Sequence, residues 1–176
     1  MMRVLIYGFR PYKHYKQNVT EQILRRLPKR KNLRKVVFPV RFWKRQFLEA
    51  VEKHKPDVIL GLGQCAKGRR LRIETRAINR RRNDRNKRGR PIVPRGSPCL
   101  FTNLKIKPSR GARISRDAGE YVCNYSMYVI LDYVRRRRLS TRFGFLHVPH
   151  RYRTDRGRLF LLKLAQDIHS VGLGGS

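Results

Sequence analysis

Hydrophobic residues in this chain fall into short, nearly unbroken runs, and between the runs they recur at helical spacing. Val4-Leu5-Ile6-Tyr7-Gly8-Phe9 is apolar throughout. A strand buried on both faces needs that composition, so a first strand is predicted over residues 3–9. Asn18-Val19-Thr20-Glu21 has the spacing of a capping box, with Asn18 accepting from a first-turn N–H and Glu21 reaching back. A helix therefore opens there and runs to about residue 26, ahead of Pro28. Residues 35–40 form the next apolar run, and Phe42, Trp43, Phe47, Leu48 and Val51 then fall at helical intervals over residues 42–53. Val58-Ile59-Leu60-Gly61-Leu62-Gly63 is a third strand that ends in glycines.

Further along, residues 71–79 read as one extended segment, with Ile73, Thr75 and Ala77 on one parity and Glu74 and Arg76 on the other. Residues 91–94 and 100–104 flank Gly96-Ser97-Pro98 and predict a hairpin. Residues 113–115 begin a short strand, and a helix spans residue 120 to about 134. Residues 144–149 form the last core strand, and 158–168 an amphipathic helix. Apolar strands alternating with helices predict an α/β fold with a mainly parallel twisted sheet covered on both faces in three α/β/α layers, plus the β-hairpin. With 176 residues the chain suits a single domain over 1–169, with 170–176 as a flexible tail.

Composition changes the picture in two ways. No run approaches the length of a membrane-spanning helix, and the N-terminus lacks an apolar leader, so a soluble, cytoplasmic protein is expected. Cys65, Cys99 and Cys123 are odd in number and lack close pair spacing, which fits neither a secreted disulfide framework nor a zinc site and indicates a reducing compartment. The second change is charge: 44 Lys and Arg against 11 Asp and Glu give a formal net charge of +33. Such a field attracts nucleic acid and other polyanions at low salt without specifying any of them. Residues 80–90, dense in arginine, lysine and asparagine, are predicted to be an exposed loop.

Candidate chemistry centres on Cys123, which follows Asp117-Ala118-Gly119-Glu120 and opens an apolar helix. Unpaired N–H groups and the helix dipole favour thiolate over thiol, so a lowered pKa and a nucleophilic sulfur are expected. His147, near the C-terminal end of an apolar strand, is the candidate base, and Glu74 the carboxylate that orients it. Each has a plainer reading. A cysteine in an apolar helix is more often a small buried hydrophobe, a histidine in an apolar strand is more often structural, and a glutamate among arginines often joins a charge network. Their joint occurrence in suitable contexts favours a Cys-His-acid hydrolytic site.

Gly8-Phe9-Arg10-Pro11-Tyr12, Gly61-Leu62-Gly63-Gln64, Ile73-Glu74-Thr75-Arg76-Ala77-Ile78-Asn79, the segment from Asp117 through Cys123 to Tyr128, and Gly144-Phe145-Leu146-His147-Val148-Pro149 together resemble the ordered motifs of the pyroglutamyl peptidase I family. The resemblance implies a hydrolase-like α/β/α fold and a Cys123, His147 and Glu74 triad that removes N-terminal pyroglutamate from peptides without metal or organic cofactor. It also implies Phe9, Tyr12 and Gln64 as substrate-binding residues and leaves a homo-oligomer open. An arginine in the 80–85 stretch, with Arg81 and Arg82 as candidates, would make an oxyanion or phosphate contact. Where the family usually has Gly-Phe-Glu-Pro-Phe-Gly, this chain has Gly8-Phe9-Arg10-Pro11-Tyr12-Lys13, a base in place of an acid. From another functional class, the alternative is an RNA- or ribonucleoprotein-binding protein that uses the arginine-rich stretches on the same fold.

Overall fold

The computed structural model describes residues 1–83 and 86–171, apart from the side chains of 83–87 and 169–171. In chain order the elements are β1 (Val4–Phe9), α1 (Val19–Arg26), β2 (Leu33–Phe38), α2 (Lys44–His54), β3 (Val58–Cys65), β4 (Leu71–Glu74), β5 (Arg76–Ile78), β6 (Arg81–Asn83), β7 (Asn86–Arg90), β8 (Cys99–Phe101), β9 (Ala112–Ser115), α3 (Val122–Arg136), β10 (Arg142–Pro149) and α4 (Thr154–Val171). Six strands form one sheet in the order β2-β1-β3-β10-β4-β9. Neighbours run parallel except β10 and β4, which are antiparallel. Of the tail expected at 170–176, residues 170 and 171 instead end α4, and 172–176 lie outside the described residues.

Alternation along the buried strands sorts side chains onto two faces. Leu5, Tyr7 and Phe9 of β1, Ile59 of β3, and Phe143 and Phe145 of β10 share one core with α2 and α3. Val4 and Ile6, Leu60 and Leu62, and Leu146 and Val148 share the other with α1 and α4. This is the period-2 geometry of a strand burying both faces, and it makes the three-layer architecture a consequence of continuous apolar runs. Helix α1 begins as predicted, with the Asn18 side chain accepting from Thr20 N at 3.0 Å, a cap worth about 1 kcal/mol. Glu21 does not complete the box; its carboxylate accepts instead from Arg25, one turn on, at 2.7 Å.

Three expectations are corrected. The extended segment after residue 70 is two strands, since β4 joins the main sheet while β5 leaves it to pair with β8. The hairpin between 91–94 and 100–104 is therefore absent. Residues 91–94 form no strand, because Asn79 satisfies their backbone. Its Oδ1 accepts from Ile92 N at 2.8 Å and Val93 N at 2.9 Å, and its Nδ2 donates to Val93 O at 2.8 Å. The expected loop at 80–90 is also a paired ribbon, β6 with β7. Composition hid this pairing, because an exposed two-stranded ribbon carries no apolar alternation.

Candidate active site

Register brings the site together. His147 on β10 lies opposite Gly63 of β3 on one side and opposite Arg72 of β4 on the other. Phe145 likewise lies between Gly61 and Glu74. Residues in register share a face, and positions two apart on one strand do too. Glu74, Arg72 and His147 thus all rise on the face covered by α3, whose first turn carries Cys123. Three side chains distant in sequence meet because of this crossing of helix start and strand ends, the edge where α/β sheets assemble sites.

The distances are close. Glu74 Oε1 lies 2.8 Å from His147 Nδ1, and both side chains are buried. A Cβ built on Gly63 would stand 2.6 Å from Cys123 Sγ and 3.0 Å from His147 Cδ2. A glycine is required there, because a methyl group would occupy the space between sulfur and ring. The imidazole thus presents Cδ2 toward the Gly63 position and Nδ1 toward the carboxylate. When Nδ1–H donates to Glu74, Nε2 is left with a lone pair as base.

Helix α3 is tied down at its start. Asn124 Oδ1 accepts from Ile78 N at 2.8 Å, and Asn124 Nδ2 donates to Ile78 O and Arg80 O, each at 2.9 Å. The N-cap position, Tyr121, offers no side-chain hydrogen bond, and the first turn has no acidic residue. The dipole and the first-turn N–H groups are thus available to an incoming anion. They do not dominate the sulfur, however. Burial pushes the Cys123 thiol up to about 12, with Cys65 and Glu74 adding to the rise and Arg72 opposing it. The expected lowered pKa is corrected: the sulfur sits among Gly63, Phe145 and the imidazole, where desolvation outweighs the helix start. The resting nucleophile is a neutral thiol.

The remaining candidates are distributed unevenly. Tyr12 is half-buried and stacks on Tyr121, with ring centroids 5.9 Å apart. Burial and then the charge interaction with Cys123 push its phenol up to about 12, which puts it within electrostatic reach of the sulfur. The next residue, Lys13, adopts φ 55°, a left-handed conformation that favours glycine and costs other residues roughly 1 kcal/mol. Phe9 is not brought to the site surface; it is 2% exposed and packs edge-on against Tyr7 and Phe47. Gln64 is buried, and its Oε1 accepts from Val19 N at 2.9 Å while its Nε2 has no hydrogen-bond partner.

Arg81 and Arg82 are turned elsewhere. The Arg81 guanidinium lies 5.7 Å from the Phe42 ring and 5.8 Å from the Tyr125 ring, and Arg82 Nε is 3.1 Å from Glu120. The cation at the site is Arg72, which sequence reasoning missed. Its Nε is 3.2 Å from Glu74 Oε1 and its Nη2 is 3.3 Å from His147 Nδ1. The signal was present, since Arg72 shares parity with Glu74, but it stood among many arginines. No described helix is long and apolar enough to cross a membrane.

The sequence model described as pyroglutamyl peptidase matches residues 2–154. The chain is 30% identical over 168 residues to a pyrrolidone-carboxylate peptidase of Saccharolobus solfataricus, covering 84% of this chain and 79% of that one. Among solved structures, a mutant pyrrolidone carboxyl peptidase from the hyperthermophile Pyrococcus furiosus is similar with a TM-score of 0.75 and 31% identity, over 84% of this chain and 81% of that chain. The pyroglutamyl peptidase I of Bacillus amyloliquefaciens is similar with a TM-score of 0.76 and 27% identity, over 85% of this chain and 81% of its own.

Proposed function

The chain belongs to the pyroglutamyl peptidase I family, and on that premise we propose that it is a cysteine exopeptidase that releases N-terminal pyroglutamate from peptides. Cys123, His147 and Glu74 carry the reaction. The observation that supports this most directly is the pairing of Glu74 Oε1 with His147 Nδ1 at 2.8 Å, with the imidazole and the Cys123 sulfur both bordering the Gly63 position.

Because the resting thiol is neutral, attack and proton transfer occur together. His147 Nε2 removes the thiol proton as sulfur bonds to the pyroglutamyl carbonyl carbon, and Glu74 stabilises the imidazolium that forms. The developing oxyanion is met by first-turn N–H groups of α3. The imidazolium then gives its proton to the leaving nitrogen, the C–N bond breaks, and a thioester remains on Cys123. Water, deprotonated by His147, hydrolyses that thioester and restores the thiol. The flat lactam ring lies against Tyr12, and the buried, unpartnered Nε2 of Gln64 suits its carbonyl. Phe9 supports this pocket from within the core.

Release of the chromophore from a chromogenic pyroglutamyl amide is the test. Wild type releases it in a reaction abolished by Cys123→Ala and by thiol alkylation. Equal release by Cys123→Ala overturns the proposal. The nucleic-acid reading rests on net charge alone, since Arg80, Arg81 and Arg82 of the ribbon region already contact Glu120 or aromatic rings. A complex with RNA that survives physiological salt would revive it.

A further inference from the structure

The triad accounts for Cys123, His147 and Glu74 but leaves the Arg72 guanidinium unexplained. It touches both members of the acid–base pair, with Nε 3.2 Å from Glu74 Oε1 and Nη2 3.3 Å from His147 Nδ1. Its side chain is 27% exposed while the Glu74 side chain is 0% exposed, so the contact forms where solvent screens poorly. Position explains the reach: Arg72 is directly opposite His147 in the antiparallel register and two residues from Glu74 on one strand. Around the guanidinium stand Glu74 on its own strand, His147 on β10 and Arg113 opposite it on β9. Cys123 of α3 and Cys65 of β3 lie within electrostatic reach.

Nδ1 can donate to Glu74 or accept from Arg72, but not both. The 2.8 Å partner is the carboxylate, and Arg72 Nε, 3.2 Å from Glu74 Oε1, makes no hydrogen bond to it, so Arg72 acts on the pair through its charge. We propose that Arg72 is a positioning residue that keeps Glu74 aimed at Nδ1, and that its fixed positive charge lets the site work at lower pH than the triad alone would. This rests on the peptidase reading. A single cation beside a carboxylate and an imidazole lowers the proton affinity of the whole cluster, whichever member holds the proton, and it also favours thiolate at Cys123. The same charge thus extends activity to lower pH and weakens the demand on the base.

The test compares Arg72→Gln, Arg72→Lys and Arg113→Gln by two readouts. In the pH profile of kcat/KM, Arg72→Gln moves the acid limb up by about one pH unit, so activity at the wild-type midpoint falls roughly fivefold and recovers toward alkaline pH. Arg72→Lys keeps the charge and shifts the limb by less than about half that, but lowers kcat because an ammonium cannot span both partners. Arg113→Gln removes the same charge one strand away and leaves the profile in place. The second readout, the pH dependence of iodoacetamide alkylation at Cys123, needs no turnover. It too moves to higher pH in Arg72→Gln, so an inactive wild type would sink the peptidase reading while this arm still judged Arg72. Superimposable wild-type and Arg72→Gln profiles in both readouts, with only a lower melting temperature, would make Arg72 a structural ion pair and overturn the proposal.

Discussion

Arginines occupy two neighbouring regions of this molecule and behave as opposites. On β4, Arg72 reaches inward to a buried carboxylate and imidazole. On the ribbon formed by β6 and β7, Arg81 lies over two aromatic rings and Arg82 meets Glu120, with more than half of its side chain exposed. Identical chemistry is thus divided by strand register. A main-sheet position facing α3 couples an arginine to the reacting groups, while a ribbon position commits it to the surface, where such pairs contribute little. A net charge of +33 therefore says little about function until each cation is placed.

The comparison can be broken most sharply at the group Arg72 serves. Glu74→Gln leaves the guanidinium without its carboxylate and the imidazole without its acceptor, and kcat is expected to fall on the order of 10³-fold. A loss below tenfold would detach β4 from the chemistry. Next is Gly63→Ala, whose methyl group enters the gap between Cys123 Sγ and the His147 ring. Displacement of about an ångström should lower kcat/KM about 10²-fold, and a crystal structure of the variant would show the sulfur moved.

A smaller effect separates the cysteines. Because the Cys123 thiol is raised to about 12, the protonated form prevails at neutral pH and its thiolate fraction grows about tenfold per pH unit. Alkylation at pH 7 should therefore be several-fold slower at Cys123 than at Cys99, although both residues are partly exposed, with the order reversing only when substrate or high pH removes the proton. Faster labelling of Cys123 at pH 7 would restore a helix-lowered pKa. The smallest expected change is on the ribbon, where Arg81→Ala and Arg82→Ala should each alter kcat/KM less than about threefold. A loss comparable to that of Arg72→Gln would erase the distinction between the regions.

Much of this was legible in the residues. Continuous apolar runs at β1, β3 and β10 require burial on both faces, so the layered architecture followed, and the glycines closing β3 marked the place where sulfur and imidazole approach. Other features depend on pairing, which local pattern does not carry. The strand ending at Ile78 chose β8 as its partner because the Asn79 side chain closes the 92–93 turn, a long-range use of one amide. A lowered thiol pKa follows from the helix start alone, whereas the enclosure that overrides it is built by residues of two other strands. Arg72 escaped notice because parity with Glu74 matters only once β4 is known to lie antiparallel to β10.

The most direct measurement is trapping of the acyl-enzyme. Wild type mixed with a pyroglutamyl amide, quenched in acid and digested should yield, by mass spectrometry, a pyroglutamyl thioester on the peptide containing Cys123, absent from Cys123→Ala. Turnover with the acyl group on Cys65, or undiminished turnover by Cys123→Ala with no thioester formed, would contradict the account.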